Sequence, residues 1–396
     1  MQLDTRNLDD VMRPTRMLVA GVGGAGCSAL NHMLRTAGSA PEALALHTDQ
    51  NVLAASLAPR RFQMGASVTG GLSTGGDAKL GRIAAESDEA NLRDLLAEHH
   101  LIVFLVGLGG GTGSGAIPVL ARLAREMGVL TMVIATQPFM FEGDERRRNA
   151  DIAMADLKGV ADAIITFPNE RLFEVVQAGG SLGKAFQLAD RYLVEGILAI
   201  WQMMNQRGLI HLDFADVQRL VRHSGGLCTL ATVELSAVDG AKRAAEALLA
   251  SPLLDRGQVV NRAHGAILGI TAGPELPLDD VQAIVRDLRG AVARPDLRLS
   301  MGVVVEPAMA GKLRLLLLIT EEWRDTPGAG AAAAAGELDL SADTLDAAKP
   351  KVVQTDLGLD TDTSTTGRFK DVEATIVEGQ DLDVPTYIRK GIRIGI

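Results

Sequence analysis

Residues 107–115 read Gly-Leu-Gly-Gly-Gly-Thr-Gly-Ser-Gly. They follow the apolar run Leu101 to Val106, which predicts a buried strand. They precede Ala116 to Met127, where Ile117, Leu120, Leu123 and Ala124 share one helical face. A glycine loop between a strand and a helix lets backbone N–H groups close on an anion, and the helix N-terminus adds a favourable dipole. Thr112 and Ser114 add hydroxyls. The stretch therefore predicts phosphate binding through Gly109, Gly110, Gly111, Thr112, Gly113, Ser114 and Gly115.

Two more glycine-rich segments lie upstream. Gly21-Val22-Gly23-Gly24-Ala25-Gly26 follows a short apolar strand, Arg16 to Ala20, and opens a helix through Cys27 to Leu34. Ala43 to His47 reads as the next strand and ends in His47-Thr48-Asp49. GxGxxG followed by an acid is also what a dinucleotide-binding fold shows, so an NAD enzyme is a competing reading. The richer loop at 107–115 is superfluous to it, and the second half of the chain offers no catalytic acid or base for it. Gly70 to Asp77 is a third glycine loop, either a surface turn or, through Gly75, part of the same phosphate cradle.

Strands at Leu130 to Ala135 and Ala161 to Phe167 continue the alternation with helices, predicting an α/β domain with a parallel sheet and a site at the strand C-terminal ends. Glu142 and Arg146 stand one helical turn apart: a surface ion pair, or a ribose acceptor beside a phosphate-pairing arginine. Ala185 to Gln206 is apolar on most sides and predicts a long, buried central helix. Asp213 and Asp216, just before the helix Val217 to His223, read from spacing as an N-cap and a first-turn acid. Strands and helices between Leu227 and Thr320 predict a second, α+β domain.

The 396 residues allow two or more domains with their own cores. No apolar run is long enough to span a membrane, no secretory h-region opens the chain, and two cysteines make no disulfide framework, so a cytoplasmic location is expected. The net charge of -10 argues against nucleic acid as a partner. Residues 325–380 hold eleven Asp or Glu against four Lys or Arg, with GAGAAAAAG and TDTSTTG, and predict a disordered acidic linker. The last residues combine Arg389, Lys390 and Arg393 with Ile388, Ile392, Ile394 and Ile396, a segment suited to docking.

GGGTGSG at 109–115 resembles the signature loop of the tubulin/FtsZ superfamily. GVGGAG at 21–26, HTD at 47–49, PFMFEGDER at 138–146, FPNER at 167–171, LDFADV at 212–217, SPLL at 251–254, GITAGPEL at 269–276 and the tail DLDVPTYIRKG at 381–391 are similar to the same family, in the same order. The resemblance implies a GTPase, with GTP/GDP and Mg²⁺, that assembles head-to-tail with itself at a bacterial division site. It implies a tubulin/FtsZ-like fold: a disordered N-terminus at 1–15, a GTP-binding α/β domain at 16–184, a central helix at 185–206, a catalytic loop and helix at 207–223, an α+β domain at 224–322, the acidic linker at 323–380 and a peptide at 381–396 that docks membrane-tethering division proteins. Carried over by position, Gly23, Gly24 and Gly110 to Gly115 hold phosphate, Glu142 and Arg146 contact ribose and phosphate, Phe186 packs on the base, Asn169 contacts its edge, and Asp213 and Asp216 act catalytically in a neighbour's site. Ser28 and Asp49 join the nucleotide set, as does Asp190, since Arg191 stands where the family carries its guanine-reading Asp. His47 and His211 stand where the family usually has Asn. A nucleotide-binding filament scaffold with little or no turnover is the alternative.

Overall fold

The structure is a computed structural model that describes residues 15–37, 39–169, 182–206, 208–222, 226–255, 257–291 and 297–321, together with 376–377 and 380–381. The expected N-terminal segment and most of the acidic linker and tail peptide lie outside these residues.

The first half runs β1 (Met17–Val22), α1 (Gly23–Thr36), β2 (Glu42–His47), α2 (Gln50–Ala54), β3 (Arg60–Gln63), α3 (Ala66–Thr69), α4 (Ala78–Glu86), α5 (Glu89–Leu96), β4 (Leu101–Gly107), α6 (Gly111–Glu126), β5 (Leu130–Gln137), α7 (Asp144–Leu157) and β6 (Ala163–Pro168). The long helix α8 (Leu182–Asn205) and α9 (Phe214–Arg222) lead to β7 (Leu227–Ser236), α10 (Ala237–Leu249), β8 (Ala263–Ala272), α11 (Leu278–Ala291), β9 (Arg298–Val305) and β10 (Lys312–Glu321). A separate two-residue ladder pairs β11 (Ile376–Val377) with β12 (Gln380–Asp381).

All ten long strands form one sheet in the order β3-β2-β1-β4-β5-β6-β7-β10-β8-β9. The six strands of the first half pair in parallel. Because β1 has β2 on one side and β4 on the other, the strand order reverses between β1 and β4, and in open parallel sheets ligands bind outside the strand C-terminal ends at such a point. In the second half β10 runs antiparallel to β7 and β8, while β8 and β9 are parallel. The halves meet where β6 pairs with β7 through Ile164↔Leu227 and Ile165↔Cys228.

Strands covered on both faces read as continuous apolar runs, and β1 and β4 bury nearly every residue. Alternate side chains leave by opposite faces. Leu18, Ala20, Ile102 and Phe104 pack with Ile117, Leu120 and Ala153 of α6 and α7. Val19, Val103 and Leu105 pack with Cys27 and Leu30 of α1 and Val194 and Ile197 of α8, and this core continues into Leu230, Ile267 and Leu316. Helix α8 thus lies against both halves. Gly196 brings it onto β7, where a Cβ would strike the Leu230 side chain.

Candidate nucleotide site

Helix α6 begins at Gly111, five residues before the apolar face that announces it. Glycine is a poor helix former, so packing has to hold this first turn. A Cβ on Gly115 would meet Ala78 O and Arg82 N of α4, one on Gly111 would meet Thr74 Oγ1, and one on Gly81 of α4 would meet Gly111 O. The two helices therefore touch backbone to backbone. On the other side a Cβ on Gly23, whose φ is +72°, would lie 2.9 Å from Gly113 N. These glycines fasten the loop in place. At Gly75, Gly76 and Gly110 an added Cβ would meet nothing within 4 Å, and at Gly24 its nearest neighbour would be His47 Nε2 at 4.0 Å.

The open glycines surround a cleft of about 660 Å³, lined by Gly24, Ala25, His47, Ser73 to Gly76, Gly107 to Gly113, Thr136, Pro138, Glu142, Glu145, Arg146, Asn149 and Asn169. It sits where β1, β4 and β5 end, at the reversal of strand order. The loops are tied to one another by side chains. Thr112 Oγ1 is 3.0 Å from Thr48 Oγ1 and 3.4 Å from Thr74 Oγ1, a buried set of hydroxyls joining three segments. Ser114 Oγ accepts the Gly109 N–H at 2.8 Å, so this hydroxyl shapes the loop. Asn149 donates to Gly76 O at 3.1 Å and more weakly to Gly109 O, bridging the glycine loops at 70–77 and 107–115. Sequence reasoning passed over Asn149, since an asparagine inside a charged helical run carries no motif.

Glu142 accepts the Phe139 N–H through Oε1 at 2.8 Å and pairs with Arg146 Nη1 through Oε2 at 2.6 Å. A carboxylate has about four acceptor positions, so it keeps room for a ribose hydroxyl. Asn169 is buried, and its Oδ1 has no hydrogen-bond partner among the described residues. An unsatisfied buried acceptor costs about 1–3 kcal/mol, and a ligand N–H would satisfy it. Open glycines, an arginine–carboxylate pair and an unfilled acceptor in one cleft fit a nucleotide.

Of the residues expected at the nucleotide, the structure brings together Gly24, Gly75, Gly109 to Gly113, Glu142, Arg146 and Asn169. Gly23, Ser114 and Gly115 stand behind that wall as packing and hydrogen-bonding residues. Asp49 caps α2, accepting the Asn51 N–H at 2.8 Å. Ser28 donates to Asp190 Oδ2 at 3.3 Å across α1 and α8; burial raises the Asp190 carboxyl above its usual range, and the Ser28 hydrogen bond and nearby His32 work against that. Arg191 reaches Glu195 at 3.6 Å. The Phe186 side chain lies outside the described residues. Cys27, beside the first glycine loop, is buried and its thiol is pushed up to about 12, chiefly by desolvation, so it is an inert packing residue.

Asp213 and Asp216 are elsewhere. Asp213 is exposed and caps α9 through the Ala215 N–H at 3.2 Å; Asp216 faces Arg219 at 3.9 Å. The Phe214 ring lies 6.1 Å from the His100 ring, just before β4, and Arg222 donates to Gly128 O, just before β5. The acid pair therefore flanks the N-terminal ends of β4 and β5, whereas the cleft opens at their C-terminal ends. Seven residues of strand β4 separate the two, about 20 Å at roughly 3.3 Å per residue.

Comparison with known proteins agrees with this architecture. Residues 16–177 match the Tubulin/FtsZ family, GTPase domain, and residues 226–322 match the FtsZ family, C-terminal domain. The chain is 34% identical over 310 residues to the cell division protein FtsZ of Rickettsia conorii, covering 78% of this chain and 68% of that protein. It is 35% identical over 309 residues to cell division protein FtsZ 2 of Rhizobium meliloti, covering 78% and 88%. Among solved structures, an empty FtsZ dimer from M. jannaschii superposes with a TM-score of 0.72 at 30% identity, covering 78% of this chain and 88% of that one. A glycine-walled cleft at the strand reversal, a helix shared by two halves and matches to both family domains place the chain in the tubulin/FtsZ family.

Proposed function

We propose that the chain is a GTP-binding, filament-forming cell-division protein that hydrolyses GTP only where two copies stack head-to-tail. The observation that carries this reading is the separation within one chain of the nucleotide cleft from Asp213 and Asp216, at opposite ends of β4. Stacking the acid-bearing end of one copy on the cleft end of another joins the two parts.

In the joined site, backbone N–H groups around Gly24, Gly75 and Gly110 cradle the phosphates, with Thr112 and Arg146 beside them. Glu142 accepts a ribose hydroxyl, and Asn169 Oδ1 accepts a base N–H. From the next copy, Asp213 and Asp216 orient a water against the γ-phosphorus. The new bond is P–O to that water, the bond broken is to the β–γ bridging oxygen, and the water proton passes to a carboxylate. Mg²⁺ prefers phosphate oxygens and water to an all-protein cage. No group of three His, Cys, Asp or Glu side chains suited to a metal occurs among the described residues, which fits a cation carried with the nucleotide.

The protein would work in the cytoplasm at the division site; no helix among the described residues is long and apolar enough to cross a membrane. Residues 381–396 would dock membrane-tethering division proteins through their basic and isoleucine-rich end. Hydrolysis per subunit should appear only above a threshold protein concentration. Two variants inactive alone, Arg146→Ala at the cleft and Asp213→Ala at the other end, should recover turnover when mixed. Equal turnover per subunit at every concentration would refute the shared site, and binding with no turnover would favour the scaffold reading.

A further inference from the structure

We infer that His47 is a phosphate-contacting residue of this cleft, donating its Nε2–H to the phosphate chain of the bound nucleotide. The inference rests on the nucleotide reading of the cleft. His47 ends β2, is 4% exposed and lines the cleft, and its ring is held by a hydrogen bond on one nitrogen. Nδ1 accepts the Asp49 backbone N–H at 2.8 Å. A ring nitrogen that accepts carries no proton, so the neutral imidazole is held as the Nε2–H tautomer. Nε2 has no hydrogen-bond partner among the described residues. It faces Gly24, 4.0 Å from where that residue's Cβ would be, and His47 lines the cleft with Thr74, Gly75 and Gly110.

Asp49 supports this arrangement from both its side chain and its backbone. Its side chain fixes the first turn of α2, and its backbone N–H orients the ring two residues earlier. Burial holds the imidazole below its usual range, Asp49 acting weakly the other way, so the ring is a neutral donor near pH 7. No titratable residue reaches the lining from α1, the 73–76 loop or the N-terminus of α6. The charged lining residues Glu142, Glu145 and Arg146 belong to the segment after β5.

The test uses the full chain labelled with ¹⁵N-histidine. The His47 resonances are assigned by their absence in His47→Asn, and GDP and GTPγS are titrated with calorimetry alongside. Expected are an unprotonated Nδ1, a protonated Nε2 that shifts on nucleotide addition, roughly tenfold weaker binding by His47→Phe, and near-normal binding by His47→Asn, whose amide can still donate. If His47→Phe does not fold, the wild-type spectrum decides. A proton on Nδ1, an Nε2 resonance indifferent to nucleotide, or undiminished binding by a folded His47→Phe would overturn the inference while leaving the nucleotide reading standing. Absence of binding by the wild-type chain would overturn both.

Discussion

The two ends of strand β4 differ in almost everything that matters to chemistry. At the Gly107 end the chain is glycine-walled, buried and rich in hydrogen-bond donors. At the His100 end stand an exposed carboxylate, a half-buried one and a shallow ring contact. The first end is built to hold an anion, and of the carboxylates lining it Glu142 is tied to Arg146. The second presents the carboxylates of Asp213 and Asp216, which are not among the residues lining the cleft. On the proposed reading, binding and turnover are separable properties of one chain, each removable without the other.

The largest effect expected from breaking that division is at the exposed end. Asp213→Ala should lower GTP turnover per subunit by about 10²–10⁴-fold, the range for removing a general base, with GTP affinity unchanged by calorimetry. Next comes the fastened part of the cleft. Gly115→Val would drive a side chain into the α4 backbone and should cost about 2 kcal/mol or more in urea unfolding. Gly110→Ala faces open space and should leave stability within about 0.5 kcal/mol; equal losses would mean that the glycine wall is not divided into packing and binding positions. Smaller again, Asn149→Ala frees Gly76 O and Gly109 O and should weaken GTP binding about threefold to tenfold, in line with a lost hydrogen bond.

The smallest effect is a pH signature of His47. Its folded pKa is lowered, so between the folded and the ordinary value the unfolded chain binds more protons. Its contribution to stability is then fully present above about pH 6.5 and is lost as pH falls through the window below it. Thermal melting of the wild-type chain should drop below about pH 6.5 more steeply than that of His47→Asn; parallel curves would place the ring in water.

The α/β half was legible because strands buried on both faces read as unbroken apolar runs between glycine turns, and β1, β2, β4, β5 and β6 appear within a few residues of those runs. Strand β3 was missed because Arg60-Arg61-Phe62-Gln63 is a half-exposed edge with no such run. The start of α6 was misread because glycine propensity argues against a helix at Gly111, and only contact with α4 overrides it. The cleft's glycines, Glu142, Arg146 and Asn169 could be found from motifs. That Ser114 turns inward, that Asp49 caps a helix and that Ser28 meets Asp190 depend on which side chains face each other, which spacing along one chain does not encode.

The joint between β6 and β7 has a mechanical consequence. Ten residues of β10 register with β7, while among the described residues Ile164 and Ile165 of β6 do so. A load applied across the sheet is shared by rungs acting in parallel, so the joint with two rungs yields first. Pulled between the two halves, the molecule should part there at low force and leave two intact plates held by the long helix. A subunit strung in a tensed filament would then have a built-in fuse, stretching at one place before either half unravels.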